Sequence, residues 1–143
     1  MRKVLKAVVL TMLACVATLA VANPAHAAVS LCGQQALRPD LPQVLLITCA
    51  EAEGNQRRAM STLVNQSAQP IFDITLESLI SSPAYGSTTC RNAVLTPGHT
   101  MSCASPWVST QPFSRFTSVF SLVQARDAQG RFISTVASFV APF

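Results

Sequence analysis

The residues of this chain best suited to chemistry are its cysteines. Cys32, Cys49, Cys90 and Cys103 follow an apolar N-terminal segment that contains a fifth, Cys15. In a small secreted domain, an even set of cysteines indicates disulfides, although four cysteines allow three connectivities. We expect Cys32 to pair with Cys49 and Cys90 with Cys103, as nearest neighbours along the chain. The sequence has no Cys-x-x-Cys motif or pair of histidines after the N-terminal segment, so we expect no metal site.

His99 is the residue that could serve as the base of a Ser-His-Asp hydrolase. No Gly-x-Ser-x-Gly motif accompanies it, and it directly follows Pro97 and Gly98, where a solvated turn residue is expected. Glu51 and Glu53 could lie on one face of a strand as a carboxylate pair. Glycosidases, however, place such carboxylates on facing elements across a cleft. We therefore expect no catalytic residue and no cofactor.

Tyr85 and Trp107 are candidates for binding a partner. Each is surrounded by Pro, Ser and Gly in the sequence. Such aromatic residues are enriched at interfaces because they combine a large contact area with a hydrogen-bonding tip. The alternative is that each caps one end of the core. Together with His99, they form the interaction surface that the sequence suggests.

The first 27 residues predict a cleaved secretory signal peptide in the form of a helix. Arg2, Lys3 and Lys6 give a positive start, residues 7–22 form an uncharged apolar run, and Ala25-His26-Ala27 is a small-x-small cleavage site. A lipoprotein site at Cys15 is the weaker alternative, because the apolar run continues past it. The run of about 16 residues is shorter than the roughly 20 of a membrane span. We expect an extracellular or periplasmic protein whose mature chain has no membrane span.

Cleavage would leave 116 residues with a net charge of +1 instead of the +4 of the full chain. The seven arginines that remain are scattered, with a single adjacent pair at Arg57 and Arg58. A nucleic-acid surface would need a clustered basic stripe, so this class of partner is not expected. The length is typical of one domain.

Residue alternation in the mature chain predicts β-structure. Residues 28–43 read as an extended N-terminal arm, because Gly33, Pro39 and Pro42 interrupt any period. Residues 44–49 and 57–65 are strand candidates, with a helix not excluded for the second. In residues 72–77, Phe72, Ile74 and Leu76 alternate with polar side chains, as in a strand with one buried face.

Residues 113–125 and 131–140 predict a β-hairpin, because the short connection between them contains Asp and Gly. We expect its core face to consist of its bulkiest residues, and the seven phenylalanines of the chain to fill the core. The fold predicted for residues 44–143 is an antiparallel β-sandwich. The residues assigned to the core face are Phe116, Phe120, Leu122, Phe132, Val136 and Val140.

The segment from Cys90 to Cys103 places a Pro-Gly turn between two cysteines thirteen positions apart. Pro97 and Gly98 suit the two central positions of a type II turn. The segment resembles the immunoglobulin-like repeats of bacterial secreted and surface proteins, which carry a cysteine followed by Leu-x-Pro-Gly-Glu-x-Met-x-Cys. Leu95 and Met101 also match, whereas His99 replaces the acidic residue. Residues 63–74 resemble the strand, Asn-rich turn and strand of the same family.

This resemblance covers roughly residues 62–140 and implies an immunoglobulin-like sandwich without catalytic residues. We therefore expect a non-enzymatic secreted or cell-envelope domain that binds a protein or polysaccharide. Two alternatives are kept. One is a small protease inhibitor that presents residues 102–107 as a rigid loop beside Cys103. The other is a hydrolase that uses His99.

Overall fold

The computed structural model describes residues 28–110 and 115–143. Within these ranges the chain is β-structure connected by turns, and no helix is present that could cross a membrane. The signal peptide predicted for residues 1–27 and Phe113, which begins the predicted hairpin, lie outside the described residues. The strands are β1 (Val29–Arg38), β2 (Leu41–Glu53), β3 (Gln56–Asn65), β4 (Ile71–Ser82), β5 (Gly86–Leu95), β6 (Thr100–Ala104), β7 (Val108–Ser109), β8 (Phe116–Arg126) and β9 (Phe132–Pro142).

The strands form two antiparallel sheets packed face to face. The five-stranded sheet has the order β1-β2-β3-β6, with the short β7 also paired to β3, and the four-stranded sheet has the order β5-β4-β8-β9. Strand connections fall at two ends of this structure. The β1–β2, β3–β4, β5–β6 and β8–β9 connections lie at one end, here called the aspartate end after Asp127. The β2–β3 and β4–β5 connections and the segment from β6 to β8 lie at the other, here called the aromatic end.

Side chains alternate between the core and the outer faces along most strands, as a half-buried sheet requires. On β3, for example, Ala59, Ser61 and Leu63 are buried, whereas Met60 and Thr62 are only half-buried. The strands predicted at 44–49, 57–65 and 72–77 are all confirmed, each within a longer strand. The helix alternative for residues 57–65 is wrong.

The prediction of an N-terminal arm at residues 28–43 is also wrong. This segment forms β1 and the start of β2, which pair as an antiparallel hairpin from Val29 opposite Ala52 to Arg38 opposite Leu41. Gly33 allows the close packing of β1 on the other sheet, because a Cβ at this position would lie 3.0 Å from the Phe139 ring of β9. The segment is therefore part of the core structure.

The core face predicted for the β8–β9 hairpin is the opposite of the observed one. Phe116, Phe132, Val136 and Val140 are all more than half exposed, and Phe120 and Leu122 are half-buried. A period of two predicts two faces but does not say which face is buried. The prediction places the bulkier face in the core, whereas the residues buried there are mostly small and let the sheets approach. The buried residues of the two strands are Thr117, Val119, Ser121, Val123, Ala125, Ile133, Ala137 and Ala141.

Phe72 departs from its predicted position for a local reason. Ile74 and Leu76 are buried as expected, but Phe72 is 37% exposed. Asp73 has a φ of 50°, and the pairing of β4 with β8 shifts between Phe72 and Thr75. Such an irregularity inserts one extra residue and reverses the facing of the residues before it. Of the six phenylalanines that the structure describes, Phe72, Phe116 and Phe132 are exposed and the other three are half-buried, so they do not fill the core as predicted.

A band of buried hydroxyl groups divides the core into two apolar clusters. Thr48 Oγ1 of the five-stranded sheet donates to Ser121 Oγ of the four-stranded sheet at 2.7 Å, and Ser61 Oγ lies 2.5 Å from the same oxygen. The larger cluster, with Leu46, Leu63 and Ile74, lies toward the aspartate end. The smaller cluster lies toward the aromatic end and consists of Ala50, Ala59, Ile80, Val119 and Ala141.

Both disulfides have the predicted pairing, and they have different positions in the fold. The Cys90–Cys103 bond joins β5 to β6 and therefore connects the two sheets. The Cys32–Cys49 bond joins paired residues of β1 and β2 within one sheet. The Pro97-Gly98 turn also forms as predicted: Gly98 has a φ of 78°, and His99 N donates to Thr96 O at 3.2 Å.

Candidate functional site

Trp107 at the aromatic end is held by a charged neighbour. The Cζ atom of Arg58, on β3, lies 4.4 Å from the centre of the Trp107 ring. Arg58 Nε also donates a hydrogen bond of 2.6 Å to Glu51 Oε2 on β2. Because the pairing of β2 and β3 places Glu51 opposite Arg58, the strands themselves orient this stack. Stacking of a guanidinium on an indole is favourable and fixes the orientation of both groups.

A second arginine and aromatic pair lies at the same end. The Cζ atom of Arg57 lies 5.1 Å from the centre of the Phe143 ring. Arg57 Nη1 donates to the carbonyl oxygens of Gly54 and Gln56, each at 2.8 Å. The adjacent arginines of β3 therefore point to opposite faces of the five-stranded sheet, and each meets one aromatic ring.

Tyr85 is the most exposed of the large hydrophobic side chains in the described part of the chain, at 68%. Its hydroxyl donates to Ser87 Oγ at 3.4 Å, so the ring extends from the β4–β5 connection with a local partner. The neighbouring Gly86 is buried, and a Cβ there would lie 3.1 Å from Val108 Cγ1. This close approach brings the connection that carries Tyr85 against the segment next to Trp107.

The segment after β6 is anchored instead of forming a protruding loop. Residues 100–104 are strand β6, and Ser105 is buried. Ser105 N donates to Ala59 O, and Ala59 N donates to Ser105 Oγ, both at 2.9 Å. Residues 102–104 therefore belong to strand β6, and Ser105 is held against β3, in place of the separate loop expected at residues 102–107.

Asp127 organises the opposite end. Its carboxylate is buried and accepts hydrogen bonds from Arg38 Nη2 at 2.9 Å, Arg131 Nε at 2.7 Å, and the backbone N–H groups of Gln129 and Arg131 at 3.0 and 2.9 Å. Burial is the largest single influence and raises the pKa of Asp127, but the hydrogen bonds together outweigh it and lower the pKa to about 2. Arg38 thus links the β1–β2 turn to the β8–β9 turn.

Asn65 connects the other two turns of the aspartate end. It is fully buried, and its Nδ2 donates to Gln69 O at 2.8 Å and to Leu95 O at 2.9 Å. Its Oδ1 accepts from Ser67 Oγ at 2.7 Å and Ser67 N at 3.1 Å. The side chain therefore uses all its hydrogen-bonding capacity within the fold.

The suggested interaction surface is divided between the two ends. Tyr85 and Trp107 lie at the aromatic end, whereas His99 lies in the β5–β6 turn of the aspartate end, with its Nδ1 2.9 Å from Thr96 Oγ1. Glu51 points to Arg58 on the outer face of the sheet, and Glu53 is exposed at the end of β2. In residues 28–110 and 115–143, no three His, Cys, Asp or Glu side chains form a metal-binding group.

The sequence analysis does not identify Arg57 and Arg58 as partners of the aromatic rings. It also does not identify Asp127 and Asn65 as the residues that link the turns of the aspartate end. Arg57 and Arg58 are the one adjacent pair among the scattered arginines, and an arginine pair in a strand necessarily presents one side chain to each face. Asn65 and Asp127 each precede turn residues, a position where their side chains cap backbone N–H groups.

A shallow depression of about 350 Å³ lies on the outer face of the four-stranded sheet beside the Asp73 irregularity. Asp73, Thr75, Arg91 and Asn92 contribute to its lining. The carboxylate of Asp73 lies 3.7 Å from Arg126 Nε across its rim, and both side chains are largely exposed. The geometry offers polar contacts but no enclosed reaction site.

Neither a family model nor a curated protein sequence matches the chain. Among solved structures, it is similar to a Bordetella pertussis protein provisionally named ApaA, with a TM-score of 0.43 and 10% sequence identity, covering 81% of this chain and 93% of that one. It is also similar to the structural-genomics target SoR45, with a TM-score of 0.41 and 9% identity, covering 83% and 89%. We draw no functional assignment from likenesses at this level.

Proposed function

We propose that this chain is a secreted or cell-envelope, non-enzymatic domain that binds a protein partner through its aromatic end. The two disulfides fit an oxidising extracellular or periplasmic location. The observation that carries the proposal is the exposure of Tyr85 at the same end of the domain as the stacked Trp107 and Arg58 pair. Tyrosine, tryptophan and arginine are the residues that most often dominate binding energy at protein interfaces.

A protein partner is favoured over a polysaccharide by the environment of the rings. Stacking on a sugar uses an open aromatic face, and of the two rings Trp107 has one face covered by Arg58. The guanidinium of Arg58 beside the indole, at the same end as the exposed Tyr85, suits a polar and partly charged protein surface.

An immunoglobulin-like topology is part of the proposal. Such domains pair strands in the orders A-B-E and C-F-G. The same pairings arise here if β2, β3 and β6 are strands A, B and E, and β4, β8 and β9 are strands C, F and G. On this assignment β1 is an additional strand beside A. Cross-strand backbone NOEs in the secreted protein would test it, and absence of the β3–β6 or β4–β8 contacts would reject it.

The binding proposal is tested with three single variants of the secreted, oxidised protein. Immobilised wild-type protein should retain a specific protein from the envelope or culture fraction of the source cells, and that protein is then purified for affinity measurements. Tyr85→Ala and Trp107→Ala should each weaken binding at least about tenfold, as expected for residues at the centre of an interface.

His99→Ala is the matched control, because His99 is exposed at the opposite end. Its affinity should equal that of the wild type. Loss of binding in His99→Ala with unchanged binding in Tyr85→Ala would reject the aromatic end as the site. Retention of the domain on insoluble polysaccharide, abolished by Tyr85→Ala, would overturn the choice of a protein partner.

A further inference from the structure

The outer face of the four-stranded sheet exposes an apolar surface formed mainly by β8 and β9. Phe132, Val136 and Val140 of β9 are 59%, 59% and 57% exposed. On β8, Phe120 and Leu122 lie beside them and are half-buried, with Leu122 directly opposite Val136. We call these five side chains the apolar face.

Such a face is unusual for an isolated domain. Soluble monomers rarely expose large contiguous apolar patches, and strands at the edge of a sheet usually carry charged residues that discourage association. The edge strand β9 has no charged residue over its 11 positions. The outer face of the other sheet differs, since its apolar residues Leu45, Ile47, Met60 and Val64 are all half-buried.

The exposed edge of β9 is less available than its face. Gln35 Nε2 of β1 donates to Val136 O at 3.3 Å, and Thr135 Oγ1 donates to Leu37 O at 2.6 Å. These bonds, together with Phe139 packed on Gly33, place β1 alongside β9. Addition of a strand to this edge would have to displace β1, so association is expected through the face.

We propose that a second copy of this chain packs face to face on the apolar face, forming a two-fold symmetric dimer. The four strands have 10 to 12 residues each. With strands about 4.8 Å apart and a rise of about 3.4 Å per residue, the whole outer face of the four strands covers roughly 700 Å², and the apolar face occupies its β8–β9 half. A dimer that uses the whole outer face of both copies, with the apolar face as its centre of contact, buries about 1,400 Å², which lies within the range of about 1,200–2,000 Å² for stable interfaces.

The charges on this sheet favour a second copy over a charged partner. Four charged residues of β4, β5 and β8 lie around the apolar face: Asp73, Glu77, Arg91 and Arg126. Two acidic and two basic groups leave the face with no net charge. A second copy therefore meets no net repulsion, whereas an anionic lipid surface or nucleic acid finds no excess of positive charge.

The shape of the outer face, set by its large and small side chains, is also suited to self-association. Across the paired strands, Phe120 lies opposite Ser138, and Val140 lies opposite Ser118. Along β9, the outward residues Phe132, Val136 and Val140 alternate with Ser134 and Ser138, whereas Phe120 and Leu122 are successive outward residues of β8. A two-fold axis lets the large residues of one copy lie against the small residues of the other, as self-complementary interfaces require.

The test compares the secreted, oxidised wild-type protein with Val136→Arg by sedimentation velocity at low and high micromolar concentration. Val136 is central and exposed, so arginine there places a charge from each copy near the axis without entering the core. Wild type should sediment with twice the single-chain mass. Val136→Arg should raise the dimer dissociation constant at least about a hundredfold.

Val29→Arg is the matched control, because Val29 is the same residue type with a similar exposure of 53% on β1. It should dimerise as the wild type does, and circular dichroism should show that all variants are folded. If Val136→Arg fails to fold, Val140→Arg replaces it. Outcomes that overturn the proposal are a monomeric wild type at all concentrations, an undiminished dimer in a folded variant of the face, or dissociation by Val29→Arg.

Two further outcomes distinguish this proposal from its alternatives. Monomeric wild-type protein that floats with neutral phosphatidylcholine vesicles would assign the face to lipid and reject the dimer. Loss of dimerisation in Val136→Arg with full affinity for the protein partner would leave the proposed function intact, because the aromatic end is a separate surface. Conversely, loss of partner binding in Tyr85→Ala should leave the dimer unchanged.

Discussion

The two ends of this domain have similar numbers of strand connections but different side-chain arrangements. At the aspartate end, Asp127 and Asn65 direct every polar atom of their side chains toward neighbouring turns. At the aromatic end, Arg58 stacks on Trp107 on the outer face, Arg57 meets Phe143 at the edge of the smaller core cluster, and Tyr85 is mostly exposed. We conclude that one end stabilises the fold while the other is available for contact. Substitutions at the two ends should therefore have unequal effects on stability.

The largest difference is expected for Asn65→Ala. The substitution removes four hydrogen bonds, including the buried bond to Leu95 O, which should lower the free energy of unfolding by about 3 kcal/mol. Urea denaturation followed by circular dichroism measures the change. Gln66→Ala, at the exposed neighbour, is the control and should change stability by less than about 0.5 kcal/mol. Equal effects of the two substitutions would show that the hydrogen bonds of Asn65 do not stabilise the aspartate end.

The next effect concerns pH and Asp127. The folded pKa of about 2 lies below the ordinary value of 3.8, so the carboxylate stabilises the fold fully above about pH 4. This contribution is lost as pH falls from about 4 toward 2. The melting temperature of the wild type should therefore decrease over this interval, and Asp127→Asn should be less stable at neutral pH with a flatter profile.

Thermal unfolding by circular dichroism between pH 2 and pH 6 checks this prediction. Asp73→Asn is the control, since Asp73 is 71% exposed and lies 3.7 Å from its arginine. Its profile should follow the wild type. If Asp127→Asn keeps the full wild-type decrease in melting temperature below pH 4, another group controls the acid sensitivity.

A smaller effect is expected for Trp107→Ala at the aromatic end. The indole is half-buried, and its stacking on Arg58 is of the strength found near protein surfaces. The free energy of unfolding should fall by about 1 kcal/mol. The same urea measurement applies. A loss of unfolding free energy as large as that of Asn65→Ala would mean that both ends stabilise the fold equally.

The smallest effect should come from Tyr85→Ala. The ring is mostly exposed, and its hydroxyl makes one long hydrogen bond to Ser87. We expect a change in unfolding free energy within about 0.5 kcal/mol, as for other exposed surface positions. Combined with weakened partner binding, this result would show that Tyr85 contributes to binding and not to stability. A clear loss of unfolding free energy would instead show that Tyr85 stabilises the fold.

Much of the secondary structure could be predicted from the sequence, because alternation is a local property. Residues 44–49 and 72–77 and the β8–β9 hairpin read correctly as strands, and the Pro97-Gly98 turn and both cysteine pairs followed from short-range signals. The facing of the β8–β9 hairpin could not be obtained in this way. It depends on which residues the opposite sheet presents, and Ala50 and Ala59 accept small neighbours across the core.

The candidate site was predictable only in part, for a related reason. The sequence singled out Tyr85 and Trp107 by type, but it could not show that Gly86 brings their two segments together. The sequence also groups His99 with these two residues. His99 lies in the β5–β6 turn at the opposite end, and only the topology of the sheets decides at which end each turn lies. The β1 strand was mistaken for an arm because Gly33 and the prolines mask its alternation.

The band of hydroxyl groups at Thr48, Ser61 and Ser121 has a consequence for local unfolding. Because it separates the small alanine-rich cluster from the larger aliphatic one, the two halves of the core need not open together. Backbone amides of the aromatic end should exchange with solvent deuterium through local openings, while those around Leu46 and Leu63 should exchange only on global unfolding. The end proposed for recognition could then adjust to a partner while the rest of the domain stays folded.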